Sequence, residues 1–287
     1  ESKLVKFLSF IGIIIKLPFY LNSIKTAYIQ ENGGIGKYYD IYLLILLILF
    51  KKNCYYHNHS SNKYVKYDFL TKIIQLLTKF NITNIFLSEI EYKKFIRKYG
   101  NLKNYYIISN SAFIKKSSFK KKQTIITRNN IRFGLLSNLY KDKGLNEFID
   151  LARYGAKNKK TWEFYLAGPI VYDSIFYKKI LNKLDNLTYY GPINDEDQKI
   201  EFYQSLDFFV FLTTFINESE PLVVLESISN GCIPIVYDRG SISDLICDKK
   251  LIIERASNPS PIINKLIEEI SIKNEFKSLS SKSFDHY

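Results

Sequence analysis

The run Asn217-Glu218-Ser219-Glu220-Pro221-Leu222-Val223-Val224-Leu225-Glu226, continued by Ser227-Ile228-Ser229-Asn230-Gly231-Cys232-Ile233-Pro234-Ile235-Val236, decides how this chain reads. The apolar stretch before it, residues 208–213, has the length and side chains of a buried strand. Glu218 then falls in a loop. Pro221 suits the first turn of a helix, where a missing N–H costs nothing. Gly231 suits the position just past the helix end. A second apolar strand, Ile233–Tyr237, follows. The module is strand, acidic loop, short helix, strand.

Two carboxylates, Glu218 and Glu226, thus bracket a helix start. The first amides of a helix lack intrahelical acceptors and its dipole is positive there, so the spot attracts an anion. Carboxylates on either side accept hydrogen bonds from hydroxyls. A ligand with phosphate at its middle and hydroxyls at both ends, a nucleotide sugar, matches that order. The alternative reading of the same spacing makes Glu218 and Glu220 mere decoration of a helix N-terminus and leaves Glu226 solvated.

Around the module the pattern is regular. Strand Ile131–Leu136 leads through Ser137-Asn138-Leu139-Tyr140-Lys141-Asp142-Lys143-Gly144 to a helix over residues 145–156. Strand Trp162–Ala167 ends at Gly168-Pro169. A helix over 174–184, a strand over 187–190 with Gly191-Pro192, and helix Glu196–Ser205 complete the approach. Strand and helix alternating at this spacing predict a parallel sheet covered on both faces. Ligands of such sheets bind beyond the carboxyl ends of the strands, where Lys143, Gly191 and Glu218 fall. After the module come a short helix, a strand over 251–254 and a final helix over 264–273. The polar end, residues 277–287, is expected to fray.

Upstream the signals are weaker. Residues 4–21 are apolar but carry Lys6, Lys16 and Pro18, too interrupted for a spanning helix of ~20 apolar residues, and read as an amphipathic or buried helix. No signal-peptide cleavage pattern follows. Strand Thr26–Gln30 precedes a Gly-rich turn at residues 32–37, and the apolar run 41–50 reads as a buried helix. A strand over 53–56 ends in His57-Asn58-His59-Ser60. Alternate histidines point the same way from a strand, but no third metal ligand has sensible spacing. A strand over 84–88, helix Glu89–Tyr99 and a strand over 105–109 follow. The basic, polar segment 115–130 reads as an interdomain linker, giving domains 1–128 and 129–287.

The chain has 287 residues, 46% hydrophobic and 24% charged, enough for two modest domains and not disordered by composition. Its three cysteines, Cys54, Cys232 and Cys247, form no metal-like pair and fit a reduced, cytoplasmic protein. The net charge of +13 favours phosphate-bearing partners or an anionic membrane surface, against the alternative of an ordinary lysine-rich surface. No nucleic-acid motif accompanies the charge. Asp195-Glu196-Asp197 invites a metal reading, but acids in the first turn of a helix complement its dipole. No methionine occurs, position 1 included.

Glu218 through Glu226, with Asn-Gly-Cys-Ile-Pro-Ile-Val after it, resembles the Glu-(seven residues)-Glu signature of the family-four retaining glycosyltransferases, the "glycosyl transferases group 1" type with the GT-B fold. Similarity runs from about Ile131 to Ile270 and more weakly over Tyr28 to Ile114. The resemblance implies two Rossmann-like domains facing a cleft, the N-terminal one abbreviated because its usual opening strand and Gly-rich loop have no counterpart before Thr26. Either the chain is an N-terminal fragment or that domain is reduced.

The resemblance also implies roles. Glu218 sits by the donor sugar, Glu226 binds the ribose, and Lys143, with the amides around Pro221, Leu222 and Val223, stabilises the departing diphosphate. His59 matches a histidine contacting acceptor or donor, with a hydrogen-bonded structural histidine as the alternative. Asn138 stands where the family commonly has Arg, a departure that removes one cation from the phosphate clamp. Gly191 lies at the donor edge. The implied reaction transfers a sugar from a nucleotide diphosphate sugar to a hydroxyl acceptor with retention, without metal or cofactor. The expected acceptor is a glycan or lipid-linked glycan in bacterial surface polysaccharide or lipopolysaccharide synthesis, with peripheral contact at the inner membrane face. Two alternatives stand: an inactive or fragmentary nucleotide-binding scaffold, and a basic membrane-surface-binding protein.

Overall fold

The computed structural model describes residues 16–114 and 130–286. The chain forms two compact units, 1–109 and 110–287. The anticipated boundary at 128/129 lies outside the described residues, as do the linker at 115–129 and residues 4–15 of the first apolar segment; residues 16–21 are helical.

The N-terminal unit carries a four-stranded parallel sheet in the order β1 (Thr26–Gln30), β2 (Asn53–His57), β3 (Ile82–Phe86), β4 (Tyr105–Ile107). Helices α1 (Lys37–Leu49), α2 (Phe69–Leu77) and α3 (Glu89–Tyr99) make the crossovers. Three expectations change here. Helix α1 is not buried all round: Leu44 and Leu47 are covered while Leu49 is 69% exposed. A helix lying on a sheet face covers one stripe of its surface, whatever its overall hydrophobicity. β3 begins two residues earlier than expected because Ile82 pairs with Cys54 and the polar Asn84 is buried inside the strand. β4 stops at Ile107, an edge strand with all three residues exposed.

The C-terminal unit holds six parallel strands: β5 (Ile131–Leu136), β6 (Trp162–Ala167), β7 (Leu187–Gly191), β8 (Phe208–Phe211), β9 (Ile233–Tyr237) and β10 (Ile252–Ile253), in the order β10-β9-β8-β5-β6-β7. Helices α4 (Leu145–Lys157), α5 (Ser174–Leu181), α6 (Glu196–Ser205), α7 (Leu222–Ser229), α8 (Ser260–Ile272) and α9 (Phe276–His286) accompany them. The chain winds outward from β5 to β7, then returns to the far side of β5 for β8 to β10. That reversal is a topological switch point, and the crevice it opens lies beyond the C-terminal ends of β5 and β8. β8 and β9 are buried at every residue, which explains their unbroken apolar runs. Phe133 stacks on Phe164 and Phe208 across the sheet at centroid distances of 5.1 and 5.4 Å. Burying each such ring contributes roughly 1.5–3 kcal/mol.

The polar tail does not fray. It forms α9, which buries Leu279, Ser280 and Ser283, and the Ser280 hydroxyl donates to the Gly231 carbonyl at 2.7 Å. A helix whose apolar positions are few still docks when its hydroxyls find backbone acceptors.

Candidate active site

Helix α7 begins at Leu222 with Pro221 as its N-cap residue and ends at Ser229, with Gly231 beyond it in the left-handed region at φ +77°. By helix geometry the amides of Leu222 and Val223 have no intrahelical acceptor. Both residues line a cavity of about 600 Å³ at the switch point, whose lining also includes Asn138, Lys143, Glu218, Pro221 and Glu226. Seven of the nine residues singled out from the sequence therefore share one site.

The acidic loop is held rigidly. Gly240, at φ +62°, passes so close to it that a Cβ there would stand 2.4 Å from the carbonyl oxygens of Glu218 and Ser219. The Ser241 amide and hydroxyl both donate to the Ser219 carbonyl, at 2.9 and 3.1 Å. The Asn110 side chain donates to the Glu220 carbonyl at 2.9 Å, and the Asn110 amide donates to the Glu220 carboxylate. Glu220 is thus buried and tied down rather than decorating a solvated helix tip.

Glu218 accepts a charge-assisted hydrogen bond from Lys143. Lys143 reaches it from the loop after β5. Gly144, in the left-handed region at φ +85°, turns that loop into α4 where a Cβ would stand 3.1 Å from the Leu212 backbone. The Lys143 ammonium also lies 4.6 Å from the centre of the Phe215 ring. The Thr213 hydroxyl sits 3.3 Å from the Glu218 carboxylate and 3.1 Å from the Asp142 carbonyl.

Glu226 has partners that the sequence reading did not identify. Its carboxylate accepts from the Lys199 ammonium at 2.7 Å and from the Tyr203 hydroxyl at 2.9 Å, both on α6. Burial works against the charge of Lys199, but its bonds to Glu226 and Glu196 outweigh this and raise its pKa. Burial and the neighbouring Glu226 push the Tyr203 phenol well above its ordinary value. The i, i+4 spacing of Lys199 and Tyr203 was available in the sequence; what it faced was not. A carboxylate oxygen offers two lone pairs, so Glu226 retains capacity for hydroxyl donors.

Gly191 does not line the cavity. It stands at φ +76°, its carbonyl accepting from the Gly168 amide at 2.8 Å, while the following Pro192 and Asn194 form the wall. Asp195 caps α6 by accepting from the Gln198 amide at 2.9 Å, and Glu196 pairs with Lys199. Among the described residues no group of three or more His, Cys, Asp or Glu is arranged to hold a metal ion.

His59 belongs to the N-terminal unit. Its amide donates to Glu31 at 3.0 Å and its ring lies 3.9 Å from that of His57, tilted by 37°. Burial lowers the pKa of both imidazoles, with His57 at about 4. The Nε2 atoms of both rings are buried without a hydrogen-bond partner among the described residues. The same strand ends hold a charge cluster with no sequence signal. Glu31 is bonded by Lys63 at 2.5 Å and by the Ser60 amide at 3.1 Å, with Lys37 3.5 Å away.

Among the described residues no helix is long and apolar enough to cross a membrane. No curated protein sequence matches the chain at a significant level. The model of the family described as "Glycosyl transferases group 1" matches residues 116–283. Among solved structures, the Anabaena protein Alr3699/HepE in complex with UDP-glucose is similar with TM-score 0.69 and 16% identity, over 95% of this chain and 76% of that one. The pneumococcal O-GlcNAc transferase GtfA in complex with UDP and GlcNAc gives TM-score 0.70 at 14% identity, over 94% of this chain and 55% of that one. A mutant of Staphylococcus aureus TarM in complex with fondaparinux, alpha-GlcNAc-glycerol and UDP gives 0.63 at 15%, over 82% and 47%. At these identities the likeness establishes the fold, two Rossmann-like sheets of the GT-B type.

Proposed function

Because the chain belongs to the glycosyl transferases group 1 family, we propose that it moves a sugar from a nucleoside diphosphate sugar to a hydroxyl acceptor, with retention of configuration and without a metal ion. One observation carries this reading: Glu218 and Glu226 line the same cavity at the sheet's switch point, on either side of the open amides of α7. The diphosphate lies at those amides and against Lys143. Preorganised donors aimed at a leaving group lower the barrier because they need no reorganisation as charge develops. Glu226, oriented by Lys199 and Tyr203, takes the ribose hydroxyls. Glu218 orients the sugar ring or supports its developing positive charge. His59 contacts acceptor or donor.

The UDP held by HepE, GtfA and TarM makes uridine the first base to test. The acceptor is proposed to be a glycan or lipid-linked glycan of a bacterial surface polymer, made in the cytoplasm at the membrane face, which the basic surface suits. A second reading rests on Asn138, which lines the cavity without a charge. With one cation fewer, the chain binds nucleotide as a scaffold and transfers nothing.

The test is calorimetric titration of UDP, GDP and ADP into wild type and Glu226→Ala, followed by a transfer assay with the matching sugar nucleotides. Binding of one diphosphate that Glu226→Ala weakens about 10- to 100-fold is expected, as for a lost hydrogen bond to a charged group. Binding without transfer selects the scaffold. No response to any diphosphate rejects both readings.

A further inference from the structure

His59 stands just past β2, and residues 58–60 belong to no helix or strand that would fix them. One buried carboxylate does so instead. β1 and β2 pair in parallel with Gln30 opposite His57. The next residue, Glu31, donates its amide to the His57 carbonyl at 2.9 Å. Its Oε2 atom accepts from the His59 amide at 3.0 Å and from the Ser60 amide at 3.1 Å. The same oxygen takes the Lys63 ammonium at 2.5 Å, and Lys63 donates in turn to the Asn58 side chain at 2.7 Å. Asn58 completes the set by donating to the Ile85 carbonyl at 3.1 Å. The side chains of Glu31 and Lys63 are 1% and 0% exposed.

Stability alone is no reason for a carboxylate at this place. A buried ion pair replaced by apolar side chains of like volume is often neutral or stabilising. What an apolar pair lacks is a charged oxygen that holds two successive amides in one orientation. The His59 ring is not anchored through Nε2, which has no partner among the described residues. Its backbone therefore decides where it stands. Resting on the reading of His59 as a contact to acceptor or donor, we infer that Glu31 is a positioning residue for transfer. Its carboxylate, held in the interior by Lys63, clamps the peptide between His59 and Ser60 and thereby sets the imidazole. A group displaced by about 1 Å from its working position costs about 10²-fold in rate.

The experiment compares two double variants of the full chain, each changed at both residues so that no charge is stranded. Glu31→Gln/Lys63→Met keeps an oxygen for the two amides; Glu31→Leu/Lys63→Met does not. His59→Ala is made alone and in the Leu background. UDP release is followed with UDP-glucose and UDP-N-acetylglucosamine, and the His57 and His59 rings by the NMR signals of their carbon-bound protons. The Leu form is expected to lose about 10²-fold in kcat while UDP affinity stays within about twofold, and the Gln form to recover at least about tenfold of that loss. His59→Ala alone should cost as much as the Leu form and add less than about threefold to it, because both changes act through one group. The ring signals should move in the Leu form and stay in the Gln form. Equal transfer by the two double variants, additive losses, or ring signals unmoved in the Leu form each overturn the proposal. Should the Leu form not fold, Glu31→Asp carries the test: it keeps the charge, draws the oxygen back by one methylene, and overturns the proposal if it transfers as wild type does. Where neither sugar nucleotide is turned over, the ring signals decide. A His59→Ala variant with wild-type transfer removes the reading of His59, and this role with it, and leaves the donor site standing.

Discussion

Both units place acids and lysines beyond the carboxyl ends of parallel strands, yet with opposite outcomes. In the N-terminal unit Glu31 follows β1 and is sealed: its side chain is 1% exposed, and Lys63, Lys37 and the amides of His59 and Ser60 surround it. In the C-terminal unit Glu218 and Glu226 each hold a lysine too, but both border a cavity of about 600 Å³. The winding of the sheets accounts for the difference. Strands β1 to β4 follow one another in one direction, so among the described residues nothing splits the loops at their ends. In the second sheet the order reverses between β5 and β8, and loops from the two halves diverge. The same residue types therefore make a structural plug in one unit and the walls of an open cavity in the other.

That contrast is open to measurement. The largest effect is expected from Lys63→Met, which leaves Glu31 with too little compensation. Breaking a buried pair by removing one partner costs about 3–5 kcal/mol, readable by urea denaturation. Nucleoside diphosphate affinity of the folded protein should be unchanged; a variant of wild-type stability would show that the cluster is no plug. In the other unit Lys143→Gln leaves Glu218, whose side chain is only 10% exposed, without its cation and should cost about 1–3 kcal/mol. Transfer should slow about 10²–10³-fold through the loss of one preorganised donor to the leaving group. Equal transfer by both proteins would remove Lys143 from the chemistry.

A third test uses pH. His57 in the folded chain titrates at about 4, below its ordinary 6.5, because burial, then His59 and Lys63, oppose its charge. The unfolded chain binds that proton first, so stability present above 6.5 is withdrawn as the pH falls from 6.5 towards 4. Unfolding of His57→Gln should depend less on pH across that window. Glu31 acts lower: burial raises its pKa, but Lys63 and Lys37 outweigh this and hold it below 4.5, so its contribution is lost only at more acid pH. The smallest effect is assigned to Tyr203→Phe. It removes one neutral donor from Glu226 and should weaken nucleoside diphosphate binding about 2- to 10-fold, the equivalent of about 0.5–1.5 kcal/mol. Loss of folding instead would make Tyr203 a core residue first and an orienting one second.

Much of the second unit could be read before any coordinates. Ile131–Leu136, Trp162–Ala167, Glu196–Ser205 and Ile233–Tyr237 form the elements their patterns predict. Period and turn chemistry are local properties, and in a sheet buried on both faces the apolar runs are unbroken. The acidic module around Pro221 and Gly231 was local in the same sense. What tertiary structure alone decided were the partners: Lys199 and Tyr203 on Glu226, Asn110 on Glu220, Lys63 on Glu31, and the docking of α9 through Ser280 on Gly231. Each joins residues far apart in the chain, and a lysine in a polar stretch looks the same whether it meets water or a buried carboxylate. Sequence carries the period of an element, while the strand order of the sheet determines which loop ends meet.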